Sequence, residues 1–183
     1  MLTPKLRLAL RAPDPLAPLL SEPCPGVYTF DVFKRGFCAS LLKEIEKHPV
    51  ESPNSMNKYG LVLKDVGMGS LCENLLHSLV NPLVRRFYPS IGKLTRYHGF
   101  IVNYDPKKQS SLDRHYDDSL VTLNICLGRK FTGGKLVFRD EEDILARVEQ
   151  HIGQAILHPG NQLHQAQAIR TGTRSNLILW CRR

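Results

Sequence analysis

Beyond Pro89 the chain breaks into short runs rich in β-branched, aromatic and aliphatic residues: RYHGFIVNY (96–104), LVTLNICL (120–127), KLVF (135–138), HIGQAILH (151–158), HQAQAI (164–169) and SNLILWC (175–181). Runs this short, separated by turn residues, are strands, and strands at this spacing predict a sandwich or barrel. Upstream the period is helical. Phe33, Phe37, Leu41 and Ile45 recur every fourth position from Asp31 to His48-Pro49. Leu71, Leu75, Leu79 and Leu83 form a second stripe, which the S-x-x-E capping box of Ser70 and Glu73 opens, Pro82 kinks and Pro89 ends. Helices followed by antiparallel strands make the expected class α+β, mainly β, with the helices laid against the outer face of a β core.

Strand parity sorts the side chains. One face of 120–127 holds Val121, Leu123, Ile125 and Leu127, a core face, while the other mixes Leu120, Thr122, Asn124 and Cys126. In the last strand Arg174, Asn176, Ile178 and Trp180 share a face opposite Ser175, Leu177, Leu179 and Cys181. Trp180 reads as core. An inward guanidinium at the head of such a strand needs a partner, because an unpaired buried charge is very costly; an anionic ligand supplies one.

A length of 183 residues suits one domain. Six of the 12 prolines fall in 1–26, so that stretch is expected to be an extended arm or linker, with the domain at 27–183. No uncharged apolar run reaches the roughly 18 residues of a membrane span, so a soluble chain without a membrane partner is expected. The net charge is +8, and residues 85–114 carry seven basic side chains against two acidic ones. Such a surface attracts nucleic acid, acidic peptide or a small anionic cosubstrate without choosing among them. Cys24, Cys38, Cys72, Cys126 and Cys181 include no C-x-x-C pair, so reduced thiols are expected. With no secretory signal, the expected compartment is cytoplasmic or nuclear, although the basic start MLTPKLRLALRAP leaves an organelle transit peptide open.

His115-Tyr-Asp117 offers two ligands on one side of an extended segment. An H-x-[DE] pattern alone says little, since about 0.65 matches arise by chance in such a composition. His164 adds a third ligand, and Arg174 follows ten residues later, after the turn Thr-Gly-Thr, so successive hairpin strands can carry both into one cavity. Two His and one carboxylate leave three octahedral positions free, the arrangement by which non-haem Fe(II) oxygenases take an oxo-acid and O2. Arg174 then supplies a bidentate cation for the distal carboxylate, with Tyr104 and Asn124 placed to hydrogen-bond the same ligand. His158, in a strand-ending HPG turn, is the less suitable histidine; His48, His77, His98 and His151 lack a partner pattern, and 140–143 reads as an acidic hairpin tip.

The segments NSMNKYG (54–60), HYDDSLVTLNICLG (115–128), FTGGKLVF (131–138) and LHPGNQLHQAQAIRTGTRSNLILW (157–180) resemble the Fe(II)- and 2-oxoglutarate-dependent dioxygenases, most closely the subfamily of oxygenase domain-containing protein 2. Prolyl and lysyl hydroxylase domains are similar at greater distance. The resemblance covers about 54–182. It implies a double-stranded β-helix, a jelly-roll, cupin-like fold. It also implies His115, Asp117 and His164 as iron ligands, Arg174 as the clamp for 2-oxoglutarate, and Tyr104 and Asn124 as further contacts. The implied activity couples oxidative decarboxylation of 2-oxoglutarate by O2 to hydroxylation, first of a protein side chain, with ascorbate as a reductant. Ser175-Asn176 departs from the R-x-S of some branches, so no hydroxyl contact is expected there. The rivals are a nucleic-acid demethylase or hydroxylase, a non-catalytic binding module of the same fold, and a zinc hydrolase, which leaves Arg174 unexplained.

Overall fold

The computed structural model of the chain describes residues 1–10, 19–48 and 60–183. In chain order these form α1 (Pro4–Ala9), β1 (Ser21–Cys24), β2 (Val27–Asp31), α2 (Arg35–Ile45), β3 (Leu61–Val62), α3 (Gly69–Leu75), a π-helical turn (Leu76–Val80) and α4 (Asn81–Phe87). Strands follow: β4 (Arg96–Tyr104), β5 (Leu112–His115), β6 (Val121–Gly128), β7 (Phe131–Gly133), β8 (Leu136–Arg139) and β9 (Ile144–Val148). The last four are β10 (Gln154–Pro159), β11 (His164–Ala166), β12 (Ile169–Gly172) and β13 (Arg174–Arg182).

Alternation along the strands divides the apolar residues between two cores. The larger sheet has the order β1-β2-β10-β6-β13-β4-β3. Its outer face presents Val121, Leu123, Ile125, Leu177 and Leu179, which the helices cover with Leu41, Leu75, Leu79 and Leu83. The inner face turns Phe100, Val102, Ile178 and Trp180 toward Leu136, Phe138 and Ala166 of the smaller sheet, β5-β11-β8-β9. Because the chain passes from one sheet to the other at β4, β5 and β6 and again at β10, β11 and β13, the architecture is a double-stranded β-helix with helices outside it. The expected class and both strand parities hold.

Within 1–26, the described residues 1–10 and 19–26 pack on the domain rather than standing apart as an arm: 4–9 are helical, β1 pairs with β2, and Leu2 bridges to Phe33. Leu6 and Ala9 lie in the helix-side core, and the proline of β1 is tolerated because that strand is at the sheet edge. The prolines at 13, 15 and 18 lie outside the described residues. Leu6→Ala should therefore lower stability by about 2 to 5 kcal/mol in urea unfolding, as truncation of a buried leucine does; an unchanged midpoint would mean that the segment does not pack.

Other local expectations shift too. The capping box does not form: α3 begins at Gly69, so Ser70 already has helical geometry and no side chain caps the helix. A tertiary contact fixes its start instead, with Tyr97 Oη donating to the Gly69 carbonyl at 3.1 Å. The disturbance expected at Pro82 is the π-helical turn just before it, where the absent proline N–H interrupts the helical ladder. The 164–169 run is two strands, because the chain leaves β8 and joins β7 at Ile169. Asp140 Oδ1 accepts from the amides of Glu142 and Asp143, which forms the expected acidic hairpin tip.

Candidate metal centre

Strands β5 and β11 are neighbours whose register sets His115 directly opposite His164, with ring centroids 4.3 Å apart. Asp117 follows two residues later, and its Oδ1 lies 3.5 Å from His115 Nε2 and 3.8 Å from His164 Nε2. Ligand bonds of about 2.1 Å at right angles put adjacent ligand atoms roughly 3 Å apart. A small contraction therefore brings these atoms, all within 4.8 Å of one another, onto one face of an ion. The other ring nitrogens are already engaged: His115 Nδ1 donates to the Asp113 carbonyl at 2.7 Å and His164 Nδ1 to the Gln162 carbonyl at 2.9 Å. A carbonyl can only accept, so each Nδ1 carries a proton and each Nε2 is the atom offered to a metal.

The connection between β5 and β6 is held rigidly. The Asp117 amide donates to the Gly160 carbonyl at 2.9 Å, and the Gly160 amide donates to the Leu120 carbonyl at 3.1 Å. A Cβ on Gly160 would stand 1.9 Å from the Ser119 carbonyl oxygen, so only glycine permits this approach. Burial alone would raise the Asp117 pKa, yet the His115 hydrogen bond and the neighbouring histidines hold the carboxyl below its usual range. Burial pushes His164 down and favours neutral imidazole. At His115 burial acts the same way but is outweighed by the hydrogen bond to Asp117, so its pKa is raised. An ionised carboxylate beside imidazoles that each offer Nε2 is a donor set that would suit a divalent cation.

Arg174 heads β13, opposite Tyr104 on β4. It is only 1% exposed, its guanidinium carbon lies 4.3 Å from the Tyr104 ring centroid, and Nη1 donates to the Gly134 carbonyl. Nε and Nη2 are buried with no hydrogen-bond partner among the described residues. Gly134 has φ +71, and a Cβ there would sit 2.7 Å from Ile169 Cγ2 and 3.0 Å from Nη1, so glycine lets the arginine in. A small cavity of about 20 Å³ is lined by His115, Asp117 and His164, and also by Tyr104, Asn124 and Trp180. Tyr104 is shared with the neighbouring cavity that Arg174 lines. Asn124 is less free than expected, because its Oδ1 accepts from Asn176 Nδ2 at 2.6 Å, and the same Nδ2 donates to Gln150 Oε1 at 2.8 Å.

Sequence reasoning misses Thr122, Gln150 and Asn176. Thr122 and Asn176 lie on the inner strand faces, so parity marks their direction but not their partners. His158 is buried, with Nε2 3.8 Å from Asp117 Oδ2, the oxygen turned away from the other two histidines. Its place on the inner face of β10, one step beyond Ile156, is the signal that could have found it. Trp180 is buried as expected, yet it also lines the cavity.

The OGFOD2-like domain model matches residues 2–93. The chain is also 38% identical over 191 residues to the 2-oxoglutarate and iron-dependent oxygenase domain-containing protein CP2 of Arabidopsis thaliana, covering 90% of this chain and 47% of that protein. This chain belongs to the OGFOD2-like family of 2-oxoglutarate and iron-dependent oxygenases. It spans about half the length of the curated relatives it matches. Among solved structures, a Pseudomonas putida prolyl-4-hydroxylase superposes with a TM-score of 0.66 at 16% identity, over 86% of this chain and 93% of that one. A Trichoplax adhaerens prolyl hydroxylase in complex with a peptide fragment of the hypoxia inducible factor oxygen degradation domain gives a TM-score of 0.66 at 12% identity, over 86% and 83%. At such identities these two establish the fold. The NSMNKYG segment lies outside the described residues except for Gly60.

Proposed function

We propose that this OGFOD2-like chain is a hydroxylase that couples oxidation of 2-oxoglutarate by O2 to hydroxylation of a protein side chain. The observation that carries the reading is Arg174, a buried guanidinium with two nitrogens that have no hydrogen-bond partner among the described residues, stacked on Tyr104, which also lines the cavity of His115, Asp117 and His164. A metal-only or zinc-hydrolase site has no use for such a cation, whereas a dicarboxylate that chelates metal at one end needs it at the other. Fe(II) bound by His115, Asp117 and His164 supplies the redox chemistry: 2-oxoglutarate and O2 yield succinate and CO2 as one oxygen atom enters a substrate C–H bond. Ascorbate as reductant belongs to the same reading.

The residues of the chain then have distinct tasks. Arg174 orients the cosubstrate, and the Tyr104 ring packed against its guanidinium limits the rotamers it can adopt. Phe100, Ile178 and Trp180 make an apolar wall that excludes water from the reacting side of the cavity. Tyr116 and Leu120, both exposed and flanking Asp117, offer apolar contact to an incoming segment. The Trichoplax neighbour, seen with a peptide, supports a peptide substrate.

The test is succinate release from 2-oxoglutarate across a peptide library and an oligonucleotide pool, with Asp117→Ala as the control. Release stimulated by peptides, and absent in Asp117→Ala, is expected. Stimulation by oligonucleotides alone, weakening steeply with salt, would transfer the reading to a nucleic-acid hydroxylase. No turnover with any substrate would favour a binding module.

A further inference from the structure

Two hydroxyls stand behind the carboxylate of the metal-ligand cluster. Thr122 Oγ1 donates to Asp117 Oδ2 at 2.5 Å, and Ser119 Oγ lies 2.8 Å from Thr122 Oγ1. Because the carboxylate can only accept, the Thr122 proton points to Oδ2. Its lone pairs then face Ser119, so the serine is the donor of that pair and the relay runs Ser119 to Thr122 to Asp117. Thr122 is 1% exposed and directly opposite His158 in the pairing of β10 with β6. Ser119 is fixed in turn by its amide, which donates to the Asp117 carbonyl at 2.8 Å. The two oxygens of Asp117 are thus divided: Oδ1 faces His115 and His164, and Oδ2 is turned to Thr122 and His158.

We infer that Thr122, oriented by Ser119, is a positioning residue that holds Asp117 as a one-oxygen ligand. This rests on the reading of His115, Asp117 and His164 as the metal site. A carboxylate free to rotate can bring both oxygens onto an ion and occupy a position that a chelating cosubstrate requires. A short hydrogen bond from a buried hydroxyl opposes that rotation, and it fixes Oδ1 before the metal arrives. Loss of such outer partners typically weakens metal binding by about 10- to 100-fold. Asp117 and Thr122 are five residues apart with no spacing motif between them, so only the folded connection reveals the pair.

The experiment is Mn(II) titration of the full chain by calorimetry, paired with the electron paramagnetic resonance spectrum of the bound ion. Thr122→Val, which keeps the branched shape and loses the donor, should bind Mn(II) about 10- to 100-fold more weakly with an altered spectrum. Thr122→Ser, which keeps the donor, should stay near wild type in both readouts. Wild-type affinity and spectrum in Thr122→Val would overturn the inference, as would Thr122→Ser failing as badly as Thr122→Val, since packing of the methyl would then be the cause. If Thr122→Val does not fold by circular dichroism, Ser119→Ala decides: weakened binding supports the relay, and unchanged binding overturns it. Asp117→Ala separates the two levels. Loss of Mn(II) there with unchanged binding in Thr122→Val defeats the positioning role alone, whereas retention in Asp117→Ala removes the ligand reading and the inference with it.

Discussion

Asp117→Ala and His164→Ala should each abolish stoichiometric binding of Fe(II), or of Mn(II) as its redox-inert substitute, while the wild-type chain binds one ion. The loss is large because three protein atoms do the chelating, and each is oriented in advance by the fold. Two imidazoles have their Nδ1 atoms committed to backbone carbonyls, and the carboxylate oxygen lies 3.5 and 3.8 Å from the opposing Nε2 atoms. Two remaining ligands cannot compensate, since water must then fill a position in a largely buried site. His158→Ala should still bind one ion, because His158 faces Oδ2 from 3.8 Å and lies outside the group whose ligand atoms converge. Metal analysis of the desalted variants measures all three. Full occupancy in Asp117→Ala and His164→Ala would remove the assignment, and loss confined to His158→Ala would show that a different histidine holds the ion.

Arg174→Ala should weaken 2-oxoglutarate binding by at least 10-fold and leave metal binding nearly intact. A charge-assisted contact in a dehydrated setting contributes about 1.5 to 3 kcal/mol, which corresponds to roughly 10- to 150-fold in affinity. Arg174 sits at the upper end of that setting, being almost fully buried with two nitrogens that have no hydrogen-bond partner among the described residues. Arg174→Lys should fall between alanine and wild type, because an ammonium retains the charge but loses the planar fork and the stacking on Tyr104. Equal affinities in Arg174→Ala and wild type would show that the cosubstrate anchors elsewhere.

Much of the fold is legible in the amino-acid sequence, for identifiable physical reasons. Alternation along 120–127 and 174–181 separates the core face from the cavity face correctly, because both strands lie centrally in the larger sheet and are buried on both sides. The β core and its outer helices follow from the change of period at Pro89. What escapes includes both edge strands of the smaller sheet: β5, LDRH, has no apolar run, and β9, ILARV, is apolar but turns Ile144 and Leu145 to solvent, so its burial does not alternate. At the N-terminus a short helix and an edge strand accommodate Pro4 and Pro23, two of the prolines that suggest an arm.

The site divides in the same way. His115, Asp117, His164 and Arg174 can be singled out because ligand chemistry restricts residue type and strands restrict spacing. The structure brings the first three together and buries the fourth in an adjoining cavity that shares Tyr104 with theirs. Thr122, Gln150 and Asn176 are ordinary polar residues, and their roles arise from hydrogen bonds between segments that only folding brings together. The same holds for Asn124, whose side-chain oxygen is committed to Asn176.

The most direct measurement is anaerobic calorimetry of 2-oxoglutarate binding to the wild-type chain, with Mn(II) loaded and with the metal removed. If the His115, Asp117 and His164 cluster and Arg174 hold the two ends of one cosubstrate, one 2-oxoglutarate binds per chain when Mn(II) is present and binding is largely lost without it. Binding that is indifferent to the metal, or no binding with the metal in place, would contradict a 2-oxoglutarate-dependent oxygenase site in this chain.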